Sequence, residues 1–115
     1  FVIVGLLAAC DKKGGGDDDA AAIAEANKVW TERCVTCHGD DGGGGGPGAA
    51  ALEVKPRSFT DPTWQSSVDN ARIAKVIVEG GAAVGLNAAM APNPDLKDKT
   101  AVVDALTKKI RKMVK

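Results

Sequence analysis

Two thiols and the chain's only histidine fall within five residues, Cys34-Val35-Thr36-Cys37-His38, and five consecutive glycines and Pro47 come soon after. No other feature constrains the fold as strongly. With 115 residues the chain makes one domain at most. Its ends look non-globular, which leaves a folding unit of about Ala20 to Lys115. A body of that size buries a modest core and often borrows stability from a metal, a disulfide or a cofactor. Two Phe, two Trp and no Tyr leave few aromatic side chains to fill it. Something else is expected to help.

Three chemistries use paired cysteines at this spacing. A structural zinc site needs four ligands, usually with a second pair elsewhere, and here only Cys10 and the lone His38 remain, with Cys10 belonging to an export signal. A redox dithiol belongs at a helix N-terminus near a βαβ unit, whereas this pair comes after a helical segment in a chain with no strand pattern. The third chemistry is covalent haem attachment, for which Cys-x-x-Cys-His is the sequence signal. Residues three apart on a helical turn share a face. Cys34 and Cys37 can therefore reach two vinyl groups on one porphyrin edge, with His38 one residue on to coordinate iron.

The start of the chain points to export. Phe1–Ala9 is an uninterrupted apolar run, too short to span a bilayer core, which needs roughly 20 helical residues. It reads as the back half of a signal h-region, and Leu7-Ala8-Ala9-Cys10 looks like a lipobox with Cys10 as the lipidated residue. Residues 1–10 are thus expected to be a truncated signal with a lipid anchor. Asp11–Asp19 has no apolar side chain to bury and is expected to be a flexible polar linker.

The remainder, 20–115, reads as helices joined by long loops. Ala20–Arg33 is rich in Ala and Glu, comes after an Asp run suited to capping, and aligns Ile23, Ala26 and Trp30 in one stripe. Asp61-Pro62 is expected to open a short helix carrying Trp64. Asp69 is expected to cap a helix striped by Ile73, Val76 and Ile77 and ended by Gly80-Gly81. A last helix is expected from about Asp95 or Lys97 to Val114, with Val103, Leu106, Ile110 and Met113 on one side. The class is all-α. Zero net charge does not suggest nucleic acid, and Gly42–Gly46 lacks the Lys-Ser/Thr of a phosphate loop.

Taken together, Cys34, Cys37, His38, Gly39, Asp41, Gly42, Gly44, Gly46 and Pro47, with Lys55-Pro56-Arg57-Ser58-Phe59-Thr60 further on, resemble the bacterial class I monohaem cytochromes c. The resemblance implies three to five helices wrapped around one covalently bound haem c. It implies a first and last helix that cross by a Gly and an aromatic four residues apart meeting an aromatic of the last helix; this chain departs from that, with Ala26 and Trp30 in the first two places and only Leu106 and Ile110 on the last helix. It also implies that the Pro47 carbonyl accepts the second imidazole proton of His38. Iron in an electron carrier needs a sixth ligand, and Met90, in a loop pinned by Pro92, resembles the family's Met-x-Pro ligand loop; Met113 reads as core. Haem propionates need donors, for which Lys55, Arg57 and the Trp64 indole are the candidates. Ile73, Ile77, Leu52, Val54, Phe59 and Leu86 are candidates for the pocket lining.

The function so implied is one-electron transfer between redox proteins in the periplasm or cell envelope, without catalysis on a small-molecule substrate. Two other readings remain open: the haem subunit of a larger oxidoreductase, and a haem enzyme or gas sensor with a labile sixth ligand. The basic chain end, Lys108 to Lys115, is either a helix end suited to its dipole or a patch that steers an acidic partner.

Overall fold

Asp19 opens the first helix: its carboxylate accepts a hydrogen bond from the Ala22 N–H at 3.0 Å, satisfying a donor that a helix start leaves bare. From there the chain, whose computed structural model describes residues 19–115, is helical as far as His38. It passes through α1 (Ala20–Val29), a π turn (Trp30–Cys34) and α2 (Val35–His38). In the π turn the Val35 N–H reaches the Trp30 carbonyl, five residues back. The helix is therefore longer than the expected Ala20–Arg33 and carries a widened turn. One extra residue in a turn rotates the downstream segment by roughly 100° relative to an unbroken α-helix.

The buried face of α1 differs from the expected stripe by one position. Ala22, Ala26, Val29 and Trp30 are buried, while Ile23 is 41% exposed. The small side chains of Ala22 and Ala26 set the closest approach to the last helix, and Ile23 falls beside that seam.

Asp61 accepts from the Thr63 N–H at 2.9 Å and opens α3 (Pro62–Ser67) with Pro62 in its first turn. Asp69 accepts from the Arg72 N–H at 2.7 Å and opens α4 (Asn70–Glu79), which buries Ile73 and Ile77 and stops at Gly80, φ 81°. The last helix, α5 (Thr100–Arg111), starts later and ends earlier than the sequence suggests. A 3₁₀ turn at Pro94–Leu96 precedes it, and Leu96, 0% exposed, anchors that turn in the core. Among the described residues there is no strand, and the fold is the all-α cytochrome c type.

The core is the crossing of α1 with α5. Ala26 and Trp30 are buried there with Val102, Val103, Leu106 and Ile110, so alanine stands where the resembling family uses glycine. Leu106, at 1% exposure, contributes on the order of 2 kcal/mol from burial alone. A polar hub ties α3 to α5: the Arg111 guanidinium donates to the Val68 carbonyl at 2.6 Å and to Gln65 Oε1 at 3.0 Å. Gln65 in turn donates to the carbonyls of Phe59 and Ile110 at 2.8 and 2.9 Å. Arg33 and Asp95 close the other end with paired bonds of 2.9 Å.

Candidate haem site

Cys34 closes the π turn, and Cys37 and His38 form the end of α2. Both thiols are free and half-buried. Burial pushes the Cys34 thiol up to about 11, so it is protonated at neutral pH. Among the described residues no three His, Cys, Asp or Glu side chains converge as ligands of one ion. The two thiols and the imidazole therefore do not form a closed metal site; they are arranged for separate tasks.

His38 is 8% exposed. Burial holds its pKa below the ordinary imidazole value, with the hydrogen bond to Arg57 acting the other way. The ring is thus neutral at physiological pH. Its Nδ1 lies 3.1 Å from the Arg57 carbonyl, and a carbonyl only accepts. The single ring proton therefore sits on Nδ1, and Nε2 keeps its lone pair, the form in which imidazole binds a metal. Two free thiols one helical turn apart, with a neutral imidazole of this tautomer directly after them, fit a covalently attached haem.

The acceptor differs from the expected one. Pro47 is exposed, and the oxygen at His38 belongs to Arg57 instead of Pro47. The glycine run explains the change. The loop folds back on α2 through Gly46 N–H to the Cys37 carbonyl at 3.1 Å and Gly48 N–H to the Thr36 carbonyl at 2.7 Å. That return leaves Pro47 on its outer side. At Gly44, φ 87°, a Cβ would lie 2.8 Å from the Pro56 carbonyl. Only glycine lets the Pro56–Phe59 backbone come this close, and the approach carries the Arg57 oxygen to His38. Gly45 meets nothing within 4 Å, and nothing in the structure explains glycine there.

The aromatic residues gather around the imidazole. Phe59 stacks on His38 with centroids 4.3 Å apart and planes 18° from parallel. Trp30 stands 6.4 Å from His38, and Trp64 stands 5.1 Å from Phe59. Three of the chain's four Phe and Trp residues are thus committed to one cluster. Sequence reasoning assigned them separately to helix stripe, pocket and propionate. The scarcity of aromatics was the signal that could have joined them.

The other expected site residues divide. Met90 is half-buried in the loop after α4, where its carbonyl accepts from Gly81 at 2.9 Å and its N–H donates to the Asn87 carbonyl at 3.2 Å. Asn93 pins the far side through the Ile77 carbonyl at 2.8 Å. Met113 packs against the core, its sulfur close to Gly42. Ile73, Ile77 and Phe59 are buried, but Val54 and Leu86 are 56% and 53% exposed. Lys55 and Arg57 have exposed side chains, and Trp64 is half-buried. Cys10 lies outside the described residues.

Comparison with known proteins gives the family. Residues 21–107 match the family described as cytochrome c oxidase, cbb3-type, subunit III. The solved KustC0563 c-type cytochrome is similar at 32% identity and a TM-score of 0.56, over 76% of this chain and 95% of that one. No curated protein matches the chain. An attachment motif at the end of a helix, a metal-ready imidazole and a family match across the folded part have one joint meaning: the chain belongs to the cbb3-type subunit III family of c-type cytochromes.

Proposed function

We propose that this cytochrome is a one-electron carrier with one haem c, joined through thioethers to Cys34 and Cys37 and ligated by His38 and Met90. The observation that carries the reading is the Arg57 carbonyl 3.1 Å from His38 Nδ1, which takes that nitrogen's proton and leaves Nε2 for iron. When bound, the haem supplies an iron that changes by one electron between ferrous and ferric states. The chain's part is to hold and tune it. The carbonyl at Nδ1 orients the ring and raises its basicity. The Phe59 stack at 4.3 Å keeps the imidazole from turning. The Met90 loop, tied to Gly81 and Asn87, offers a neutral thioether, which favours ferrous iron. Lys55, Arg57 and Trp64 would meet the propionates, and burial around His38 would keep water from the iron.

Lipidated Cys10 would hold the domain at a membrane surface in the cell envelope. No described helix is long and apolar enough to cross a membrane. The family description favours one second reading, in which the protein is the haem subunit of an oxidoreductase complex. Optical spectra of wild type, Met90→Ala and Met113→Ala test ligation. The sulfur–iron charge-transfer band of the oxidised protein is expected to vanish only in Met90→Ala. Ready carbon monoxide binding by reduced wild type would instead mean a labile sixth position and a haem enzyme or gas sensor.

A further inference from the structure

Arg111 belongs to the basic end of α5, yet its guanidinium points into the fold. Its Nε donates to Asn70 Oδ1 at 2.8 Å and one terminal nitrogen to the Val68 carbonyl at 2.6 Å. The other terminal nitrogen donates to Gln65 twice, at its main-chain carbonyl and at Oε1. A guanidinium is a rigid planar fork, so these bonds fix where the Gln65 side chain lies. With Oε1 taken by Arg111, the amide must turn its Nε2 the other way. That nitrogen donates to the Phe59 carbonyl at 2.8 Å and to the Ile110 carbonyl at 2.9 Å.

Phe59 is thereby pinned on both sides, because its N–H already donates to the Gly42 carbonyl at 2.8 Å. Its ring stacks on His38 at 4.3 Å. Two residues earlier, the Arg57 carbonyl accepts from His38 Nδ1 at 3.1 Å. One short segment, 57–59, supplies both contacts that orient the imidazole. Gln65 ties that segment to α3 and, through Ile110 and Arg111, to α5.

We propose that Gln65 and Arg111 are positioning residues for the iron ligand His38: they hold residues 57–59 in place and so lower the reduction potential of the haem. The inference rests on the reading of His38 as iron ligand. A hydrogen bond at Nδ1 makes the imidazole a stronger donor to iron, and stronger donation favours the ferric state. When the segment drifts, that bond weakens and the potential rises. Neither residue touches the iron; both act through the Arg57 carbonyl and the Phe59 ring.

The test is a spectroelectrochemical titration of the holoprotein beside Gln65→Met and Arg111→Lys, neither of which changes the net charge. Both variants are expected to raise the potential. Arg111→Lys should do so by less, because lysine keeps the charge and a donor but loses the fork. In the ferrous protein, the His38 Nδ1 proton is followed by NMR. It is expected to exchange with solvent roughly fivefold faster or more in Gln65→Met, as the lost tether makes local opening easier. Leu106→Ala, which loosens the crossing of α1 with α5 and leaves the hub alone, should keep the wild-type potential. Unchanged potentials in both hub variants, unchanged exchange in Gln65→Met, or an equal rise in Leu106→Ala overturns the inference. Should Gln65→Met give no folded holoprotein, Arg111→Lys decides: a raised potential supports the inference and a wild-type value overturns it. The same ferrous spectra check the ligand, since the haem ring current moves the signals of an iron-bound imidazole far upfield. Upfield His38 signals with unchanged potentials remove this inference and leave the ligand standing. Absence of those signals removes His38 as ligand, and this inference with it.

Discussion

Replacing Gly44 by alanine tests whether the glycine run is a structural requirement of the site. Gly44 has φ 87°, and an added Cβ would lie 2.8 Å from the Pro56 carbonyl. The left-handed backbone alone costs an L-residue about 1–2 kcal/mol. Relief of the contact requires the Pro56–Phe59 segment to move, and two hydrogen bonds depend on that segment. These are Phe59 N–H to the Gly42 carbonyl at 2.8 Å and His38 Nδ1 to the Arg57 carbonyl at 3.1 Å. Each is worth about 0.5–1.5 kcal/mol. The expected loss is about 2–5 kcal/mol, which sums the backbone cost and these two bonds. Guanidinium unfolding of the holoprotein, followed by tryptophan fluorescence, measures it. Gly45→Ala is the control, since that position has open space and no positive φ; it should be neutral or stabilise by about 0.4–1 kcal/mol. Equal destabilisation at both positions, or none at Gly44, would refute the reasoning.

Four further outcomes are expected. Asp95 is held below its ordinary carboxylate value chiefly by its hydrogen bonds with Arg33. Its stabilisation is therefore present above about pH 3.8, the ordinary value, and is lost as the pH falls through the lowered one; Asp95→Asn should flatten acid unfolding in that window and leave the rest of the profile alone. Gln65→Ala removes the amide's bonds to Arg111 and to the carbonyls of Phe59 and Ile110, while Arg111 keeps the Val68 carbonyl and Ile110 keeps the Met113 N–H, and should cost about 1–3 kcal/mol in chemical unfolding. Leu106→Ala should cost about 2–5 kcal/mol, because the site is closed on all sides. Ile23→Ala should cost much less, because Ile23 is 41% exposed.

Much of this architecture was legible in local chemistry. Asp61, Asp69 and Gly80 mark helix ends by capping rules that act within a few residues: α3 and α4 begin where those rules put them, and α4 stops at Gly80. The attachment motif is equally local. The features that escaped depend on contacts distant in sequence. The stripe of α1 shifted by one residue because α5 decides which alanines are covered. The late start of α5 depends on Leu96 being drawn into the core. The acceptor for His38 was misassigned because the approach of residues 56–59 is set by backbone clearance at Gly44, which periodicity and composition do not encode. The π turn leaves no mark in the apolar spacing either. Its effect is on the orientation of Cys34, Cys37 and His38, where orientation matters most.

The mass of the denatured holoprotein tests the central claim most directly, with Cys34→Ser, Cys37→Ser and the double variant measured beside it. After co-expression with haem maturation enzymes, wild type should gain the mass of one haem and keep neither of these two thiols free. Each single variant should keep its haem through one remaining thioether or lose it in part, and the double variant should carry none after denaturation. A wild-type domain that retains both thiols and releases its pigment on denaturation would contradict the account.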